Sequence, residues 1–155
     1  MDYRCRLPGR GAWVIPSKEN LLKLEAAPKI LSRSFRASVD TSGVLAKVQH
    51  ANRRHLDDAL SLAARTGRLI SGQKATWEFV ESGRAQAVGF ARDASPRLVN
   101  DFSMCFPGFT VYTLDLDREE LGARIGKGAR AVFALGAGRG LQPLMNELRR
   151  MQALR

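Results

Sequence analysis

Residues 56–83 constrain the fold of this chain more than any other stretch. Apolar side chains recur at helical spacing over residues 56–64, and Gly67 follows where a helix C-cap belongs. A short apolar segment, Leu69-Ile70, comes next. Ser71 then predicts the N-cap of a second helix that ends at Gly83. A helix, a short extended segment and another helix in direct succession favour an α/β fold.

The expected start of that second helix is a candidate anion-binding site. Gly72 leaves the first N–H groups of the helix sterically open, and these groups have no partner inside the helix. Arg65, Arg68 and Lys74 flank this start with positive charge, and Gln73 lies beside Lys74. The residues suit a phosphate of a nucleic acid. The plainer interpretation is an ordinary capped helix that binds nothing.

Strands and helices alternate through the rest of the chain. Apolar runs of strand length occupy residues 86–91, 109–114 and 129–135. Helices are expected to begin near Pro96 and Asp117, and a last one spans residues 141–153. This alternation predicts an α/β fold, a three-layer α/β/α sandwich with a mixed sheet.

The pattern divides the chain into two predicted domains. A small basic α+β element is expected over residues 1–43, and the α/β/α domain with its leading helix over residues 44–155. Residues 44–65 contain no proline or glycine and are expected to be helical, so no flexible tether joins the two parts.

The charge of the chain indicates a polyanionic partner. Its 155 residues carry 25 Lys and Arg against 15 Asp and Glu, a formal charge of +10 with a pI near 10.6. Residues 1–36 hold eight of the basic residues against three acidic ones. A protein this basic attracts nucleic acid at long range. An anionic membrane surface is a weaker alternative, since the N-terminal stretch has no strong apolar face to insert.

Nothing in the sequence directs the chain into or across a membrane. No apolar run approaches the roughly 20 residues of a membrane span, and the N-terminus lacks the apolar core of a secretory signal. Cys5 and Cys105 are too far apart for a metal knuckle and are expected to be free thiols in a reducing compartment. We therefore expect a cytoplasmic protein.

The N-terminal segment concentrates arginine around a glycine-rich turn. Pro8-Gly9 and Arg10-Gly11 bring guanidinium groups close to bare backbone. Residues 12–15 predict a strand, and Ser17 predicts the N-cap of a helix. We expect Trp13 to be a core residue of this small element, with stacking on a single-stranded base as the alternative.

This segment resembles a known family. The sequence LPGRGAWV at residues 7–14, followed by a helix and by LSRSFR at residues 31–36, is similar to the YlxR family of small bacterial RNA-binding proteins. The resemblance covers residues 4–40 and implies RNA binding through the turn and the basic stretch. The implicated residues are Arg6, Gly9, Arg10, Gly11, Arg33 and Arg36. Family members usually carry a cysteine-bearing segment before the turn, so we expect either a truncated element here or one that depends on the rest of the chain.

The second half of the chain resembles another RNA-binding family. The stretches that carry the likeness are LAARTGRLISG at residues 62–72, VESGRA at 80–85, ARDAS at 91–95 and ELGARIG at 120–126. Together they are similar to the superfamily of ribosomal proteins L-seven-Ae and L-thirty-e, over residues 56–150. The resemblance implies an α/β/α fold that contacts structured RNA through two loops. The matching positions are Gly72, Gln73, Lys74, Lys127 and Arg130.

The chain departs from the kink-turn binders of that superfamily at the first of these loops. Their helix carries Asn, Glu and Lys two, three and six residues after the matched glycine, where this chain has Lys74, Ala75 and Glu78. Ala75 accepts no hydrogen bond from a sheared G·A pair, and Glu78 repels phosphate. General RNA binding is expected, and strict kink-turn recognition is left open.

No constellation of residues suggests catalysis. The glycine-rich residues 136–140 follow a strand as a dinucleotide loop would, but only 15 residues remain after Gly140, too few for the second strand of such a site. We expect a non-catalytic protein without metal or cofactor that binds structured RNA of the translation or RNA-processing machinery. The alternative is an adaptor whose basic surface meets an acidic protein. The sequence leaves the oligomeric state open.

Overall fold

A computed structural model describes the chain as an α/β protein. It covers residues 1–6, 8 and 11–155, without the side chain of Arg139. Gly9 and Arg10, two of the residues expected to bind RNA, lie outside the described residues. The helices are α1 Lys18–Ala26, α2 Lys29–Phe35, α3 Val44–Arg65, α4 Gln73–Glu81, α5 Pro96–Cys105, α6 Arg118–Arg124 and α7 Gln142–Ala153. The strands are β1 Leu69–Ser71, β2 Ala85–Phe90, β3 Val111–Thr113 and β4 Val132–Gly136.

The chain forms two compact units. Unit 1 consists of residues 1–55 and 147–155, and unit 2 of residues 56–146. The two domains predicted at residues 1–43 and 44–155 stay a prediction. The expected helix over residues 44–65 is confirmed as α3. In the described ranges, no helix is both long and apolar enough to cross a membrane.

The four strands form one mixed sheet in the order β1-β4-β2-β3. Strand β4 pairs antiparallel with β1 on one side and with β2 on the other, and β2 pairs parallel with β3. Ala134 of β4 lies opposite both Ile70 and Val88, which sets the register on its two sides. The short apolar segment Leu69-Ile70 thus belongs to a strand, β1, and the predicted mixed sheet is confirmed.

Both faces of this sheet are buried. The cluster on one face joins strand residues to α4 and α5, and its buried members are Val80, Val88, Phe90, Leu98, Phe102, Val132 and Ala134. Alternate residues of the same strands, Ala87, Phe133 and Leu135, point to the other face and are fully buried as well. Burial on both sides is typical of a strand between two helical layers. The α/β/α sandwich is therefore confirmed for unit 2.

Unit 1 has a small core of its own. One cluster of buried apolar residues in it consists of Leu21, Val48 and Leu154. The Asn52 amide donates to the Glu147 carboxylate at 2.9 Å and to the Glu147 carbonyl oxygen at 3.0 Å. The Tyr3 hydroxyl donates to the same carboxylate. Burial raises the pKa of Tyr3, and the hydrogen bond to Glu147 raises it further, so this hydroxyl keeps its proton at neutral pH.

The segment before α1 corrects two predictions. Residues 11–17 form no strand, so the strand expected over residues 12–15 is wrong. Trp13 is 80% exposed, so its expected place in the core is wrong too. An isolated strand is not stable without a paired neighbour, and the described strands pair only within unit 2. The predicted cap of α1 is confirmed, because the Ser17 hydroxyl accepts from the Asn20 N–H.

The predicted cap of α4 is also corrected. Ser71 is the last residue of β1, opposite Phe133, and Gly72 is the N-cap of α4. Gly72 has a φ of +103°, a conformation that side chains disfavour, so the turn from strand to helix requires glycine. The backbone of Ser71 is engaged in the sheet, one residue too early to cap the helix.

Gly89→Ala is expected to destabilise the protein by about 1–3 kcal/mol or more, as overpacked cores are. A Cβ at position 89 would lie 2.2 Å from Cζ of the buried Phe133 ring. Urea unfolding measures the effect. Gly11→Ala is the matched control, since a Cβ there meets nothing within 4 Å. Equal stability of the two variants would show that Phe133 does not lie over Gly89.

Candidate nucleic-acid interface

The strand directions bring several loops to one edge of the unit 2 sheet. Strands β1 and β2 run antiparallel to β4, so both end where β4 begins. The Gly72 N–H donates to the Val132 carbonyl oxygen at 3.0 Å, and the Ala91 N–H donates to the Ala131 carbonyl oxygen at 2.9 Å. These bonds make the start of α4 a neighbour of the loop before β4. We call this the α4 edge, formed by residues 71–74, 91–93, 115–118 and 126–131.

Helix α4 starts at this edge without a side-chain cap. At the start of α5, by contrast, the Ser95 hydroxyl accepts from the Leu98 N–H. At the start of α6, the Asp117 carboxylate accepts from the Glu120 N–H. The first N–H groups of α4 therefore remain available at the positive end of the helix dipole. An anion such as phosphate matches them chemically.

Lys74, the second residue of α4, extends into solvent. Its side chain is 91% exposed, and its ammonium lies 3.9 Å from the carboxylate of Glu78, whose side chain is 63% exposed. An exposed pair of this kind contributes little to stability and is screened by salt. Lys74 is thus free to turn toward a phosphate, while Glu78 lowers the positive potential around it. Gln73 is exposed beside it, and Ala75 adds no polar side chain.

The loop before β4 supplies the second predicted contact of this edge. Lys127 is exposed, and its backbone N–H donates to the Gly122 carbonyl oxygen at 2.9 Å. Arg130 is turned inward, since its Nη1 donates to the Ala129 carbonyl oxygen at 2.9 Å. The Nε of Arg130 is buried without a partner. Lys127 therefore faces solvent, whereas the Arg130 guanidinium is hydrogen-bonded to the backbone of its own loop.

Carboxylates occupy the α4 edge alongside its cations. Arg118 lies 3.0 Å from the Asp93 carboxylate, and Arg92 lies 2.9 Å from that of Asp117. Desolvation raises the pKa of Asp93, but the hydrogen bonds from Arg118 outweigh it and lower the pKa below its usual value. This pair stabilises the fold above the unfolded pKa of Asp, and its contribution is lost as pH falls through the lowered value. Arg92 and Arg118 are thus engaged at neutral pH.

Arg68 lies at the opposite edge of the sheet from Lys74. Its carbonyl oxygen accepts from the Gly136 N–H at 3.1 Å, where β4 ends. The three residues of β1, at about 3.3 Å each, separate Arg68 from the start of α4. The sequence-based grouping of Arg68 with Lys74 around one opening is therefore wrong. The α4 start is grouped with Lys127 instead.

The described candidates of unit 1 are all exposed. They are Arg6, Gly11, Arg33 and Arg36. Sequence reasoning missed three further exposed cations as site residues, Lys18, Lys29 and Arg54. Their signal was their place in basic segments with helical patterning. None of these six basic side chains forms an ion pair within the described ranges.

Positive charge is divided unevenly between the units. Unit 1 holds 14 of the 25 Lys and Arg and 5 of the 15 Asp and Glu, a net charge of +9. Unit 2 holds the remaining 11 and 10, a net charge of +1. Long-range attraction for a polyanion therefore comes from unit 1, and unit 2 acts through the local arrangement of its charges.

Gly122→Ala is expected to displace the loop that carries Lys127. A Cβ at position 122 would lie 2.2 Å from the Gly128 carbonyl oxygen, which is backbone and cannot rotate away. Hydrogen exchange at the Lys127 amide should speed up as its bond to Gly122 weakens. Gly128→Ala is the control from the other side of the contact, since its Cβ meets nothing closer than Arg130 at 4.0 Å. Unchanged exchange in Gly122→Ala would contradict the packing.

Comparison with known proteins identifies the fold. No protein-family model matches the sequence, and no curated protein matches it. A protein of unknown function from Bacillus halodurans C superposes with a TM-score of 0.54 at 24% identity, covering 61% of this chain and 96% of its own. The 15.5 kDa RNA-binding protein of Giardia lamblia superposes with a TM-score of 0.54 at 18% identity, covering 68% of this chain and 91% of its own. These likenesses show the fold alone, and the α/β fold agrees with the one expected from the sequence.

Proposed function

We propose that this chain is a non-catalytic RNA-binding protein. The observation that carries the proposal is the net charge of +9 on unit 1, where six exposed basic side chains form no ion pair among the described residues, namely Arg6, Lys18, Lys29, Arg33, Arg36 and Arg54. Phosphate backbones bind such surfaces with release of counterions. The fold likeness to an RNA-binding protein of Giardia lamblia supports RNA as the nucleic acid.

The two units contribute differently to this binding. Unit 1 supplies long-range attraction and phosphate contacts through cations such as Arg6, Arg33 and Arg36. The α4 edge of unit 2 supplies a local contact, in which a phosphate meets the uncapped start of α4 between Lys74 and Lys127. Backbone N–H groups and a flanking cation are the combination by which helix starts hold phosphates.

The finer parts of the proposal rest on the family resemblances. We infer a YlxR-like element in the N-terminal segment, and structured RNA of the translation or RNA-processing machinery as the ligand, in the cytoplasm of a bacterium. Ala75 and Glu78 stand where kink-turn binders carry Glu and Lys, so the α4 edge contacts phosphates rather than the bases of a kink-turn.

Lys74→Glu is expected to weaken RNA binding about fivefold or more, on the order of 1 kcal/mol for a charge-assisted contact. Arg97→Glu is a close control. Arg97 is also the second residue of its helix, is also 91% exposed, and also pairs four residues on, with Asp101 at 3.7 Å. Its helix, however, is capped by Ser95. Titration of a labelled RNA hairpin with a single-stranded tail, over a series of KCl concentrations, measures both variants.

The same titration separates the proposed function from the adaptor alternative. An RNA-binding protein loses affinity steeply and linearly on a log–log plot against salt. Wild-type protein that binds no RNA at physiological salt would support an adaptor for an acidic protein. Equal losses in Lys74→Glu and Arg97→Glu would leave RNA binding in place but remove the contact at the start of α4.

Trp13 tests the contribution of base stacking in unit 1. An exposed indole beside a basic segment suits an unpaired base, and stacking contributes about 1–3 kcal/mol per base. Trp13→Leu should therefore weaken binding of a uridine 20-mer at least fivefold, whereas Trp13→Phe, which keeps an aromatic face, should retain most of the affinity. Both variants should melt like the wild type. Wild-type affinity in Trp13→Leu would exclude stacking.

A further inference from the structure

Three arginines lie at the edge of the unit 2 sheet opposite the α4 edge, where β1 and β2 begin and β4 ends. They are Arg65, Arg68 and Arg84, and we call this surface the arginine edge. All three side chains are exposed, and none pairs with a carboxylate in the part of the chain that the structure describes. Other cations of unit 2 do have such partners, namely Lys74, Arg92, Arg97, Arg118 and Arg124.

The Arg68 guanidinium lies beside the glycine-rich loop at residues 136–140. A Cβ added to Gly140 would lie 2.1 Å from Nη1 of Arg68, and one added to Gly138 would lie 3.5 Å from the same atom. The guanidinium therefore occupies space that a side chain at position 140 would fill. The glycine-rich residues 136–140 look like a nucleotide loop in the sequence. In the structure, their glycines leave room for the Arg68 guanidinium.

Arg84 is held on the other side of the same loop. Its Nε donates to the Ser82 hydroxyl at 2.9 Å, and its guanidinium carbon lies 4.8 Å from the centre of the Phe79 ring. Phe79 also borders Gly136, since a Cβ there would lie 3.3 Å from the ring. Arg68 and Arg84 thus precede the two strands that lie on either side of β4, and the contacts of Arg84 restrain its guanidinium, which reduces the entropic cost of ordering it on a ligand.

The charges of unit 2 are sorted between its two edges. Five acidic residues lie at or just after the α4 edge: Asp93, Asp115, Asp117, Glu119 and Glu120. The arginine edge has Glu81 nearby, at the end of α4, against its three arginines. Arg65 lies in the last turn of α3, where the helix dipole favours a cation. Arg68 and Arg84 lie outside helices and have no such explanation.

We propose that the arginine edge binds the phosphodiester backbone of RNA, as a second contact surface of unit 2. The inference rests on the proposed RNA-binding function and adds a surface that the family resemblance does not implicate. Guanidinium groups present a planar fork of N–H donors that matches phosphate oxygens, and they are more weakly hydrated than the ammonium group of lysine. Contacts of this kind position an RNA without reading its sequence.

Arg68→Glu is the direct test, with Arg97→Glu as the control of equal charge change. The probe is a single-stranded uridine 30-mer, titrated over a series of KCl concentrations. We expect Arg68→Glu to lower affinity about tenfold. The salt slope should fall by about 0.7 for each phosphate of the single strand that the variant no longer neutralises. Arg97→Glu should change affinity less than twofold.

Gly140→Ala tests the same surface without changing charge. The added methyl group displaces the far end of the Arg68 side chain, which costs little stability, so a threefold or larger loss of affinity would report the position of the guanidinium. Arg65→Glu is a further variant that touches no loop, and it should weaken binding even if Arg68→Glu fails to fold. Thermal melting checks each variant.

The outcomes distinguish this inference from the proposed function. If the wild type binds RNA and Lys74→Glu weakens it, but Arg68→Glu, Arg65→Glu and Gly140→Ala all match Arg97→Glu, the arginine edge is overturned and the function stands. If the wild type binds neither probe at physiological salt, both are overturned. Losses in the arginine variants that exceed the control support the proposal.

Discussion

Unit 2 depends on one hydrogen-bonded strand, β4, which pairs antiparallel on both of its sides. Because β1 and β2 both oppose it, their ends converge where β4 starts and their beginnings converge where it ends. Every residue of β4 is buried, so the strand also joins the two faces of the core. The same ladder therefore stabilises the fold and determines which loops meet. A uniformly parallel sheet would have placed the glycine-rich residues 136–140 beside the start of α4, and here they lie at the other end.

Charge is organised at two levels in this chain. Between the units, nearly all of the net positive charge belongs to unit 1, whereas unit 2 is almost neutral. Within unit 2, carboxylates neutralise most cations of the α4 edge, and the arginines of the opposite edge have no carboxylate partner among the described residues. Net charge alone would assign unit 2 a minor part in binding a polyanion. Local separation of charge gives it two chemically different surfaces, one with backbone N–H groups and lysines and one with guanidinium groups.

Sequence patterns predicted the elements of unit 2 well because burial there is periodic. Apolar runs placed β2 and β4 to within a few residues, and Pro96 and Asp117 marked helix starts. The pattern failed at Ser71, where the residue type favoured a cap but the backbone was already committed to β1. It failed again at Trp13, since an aromatic residue beside valine and isoleucine looks buried only if a sheet neighbour exists. The position of Arg68 required the strand order, which residue spacing does not contain.

Two glycines of unit 2 exclude a side chain for different reasons, and relatives of this chain should differ at them accordingly. At Gly89 the obstacle is the Phe133 ring, so a larger residue at position 89 is compatible with a smaller one at position 133, and the two positions should covary. At Gly122 the obstacle is the carbonyl oxygen of Gly128, which every amino acid carries. No compensating substitution removes it, so position 122 should remain glycine wherever the loop before β4 keeps its path.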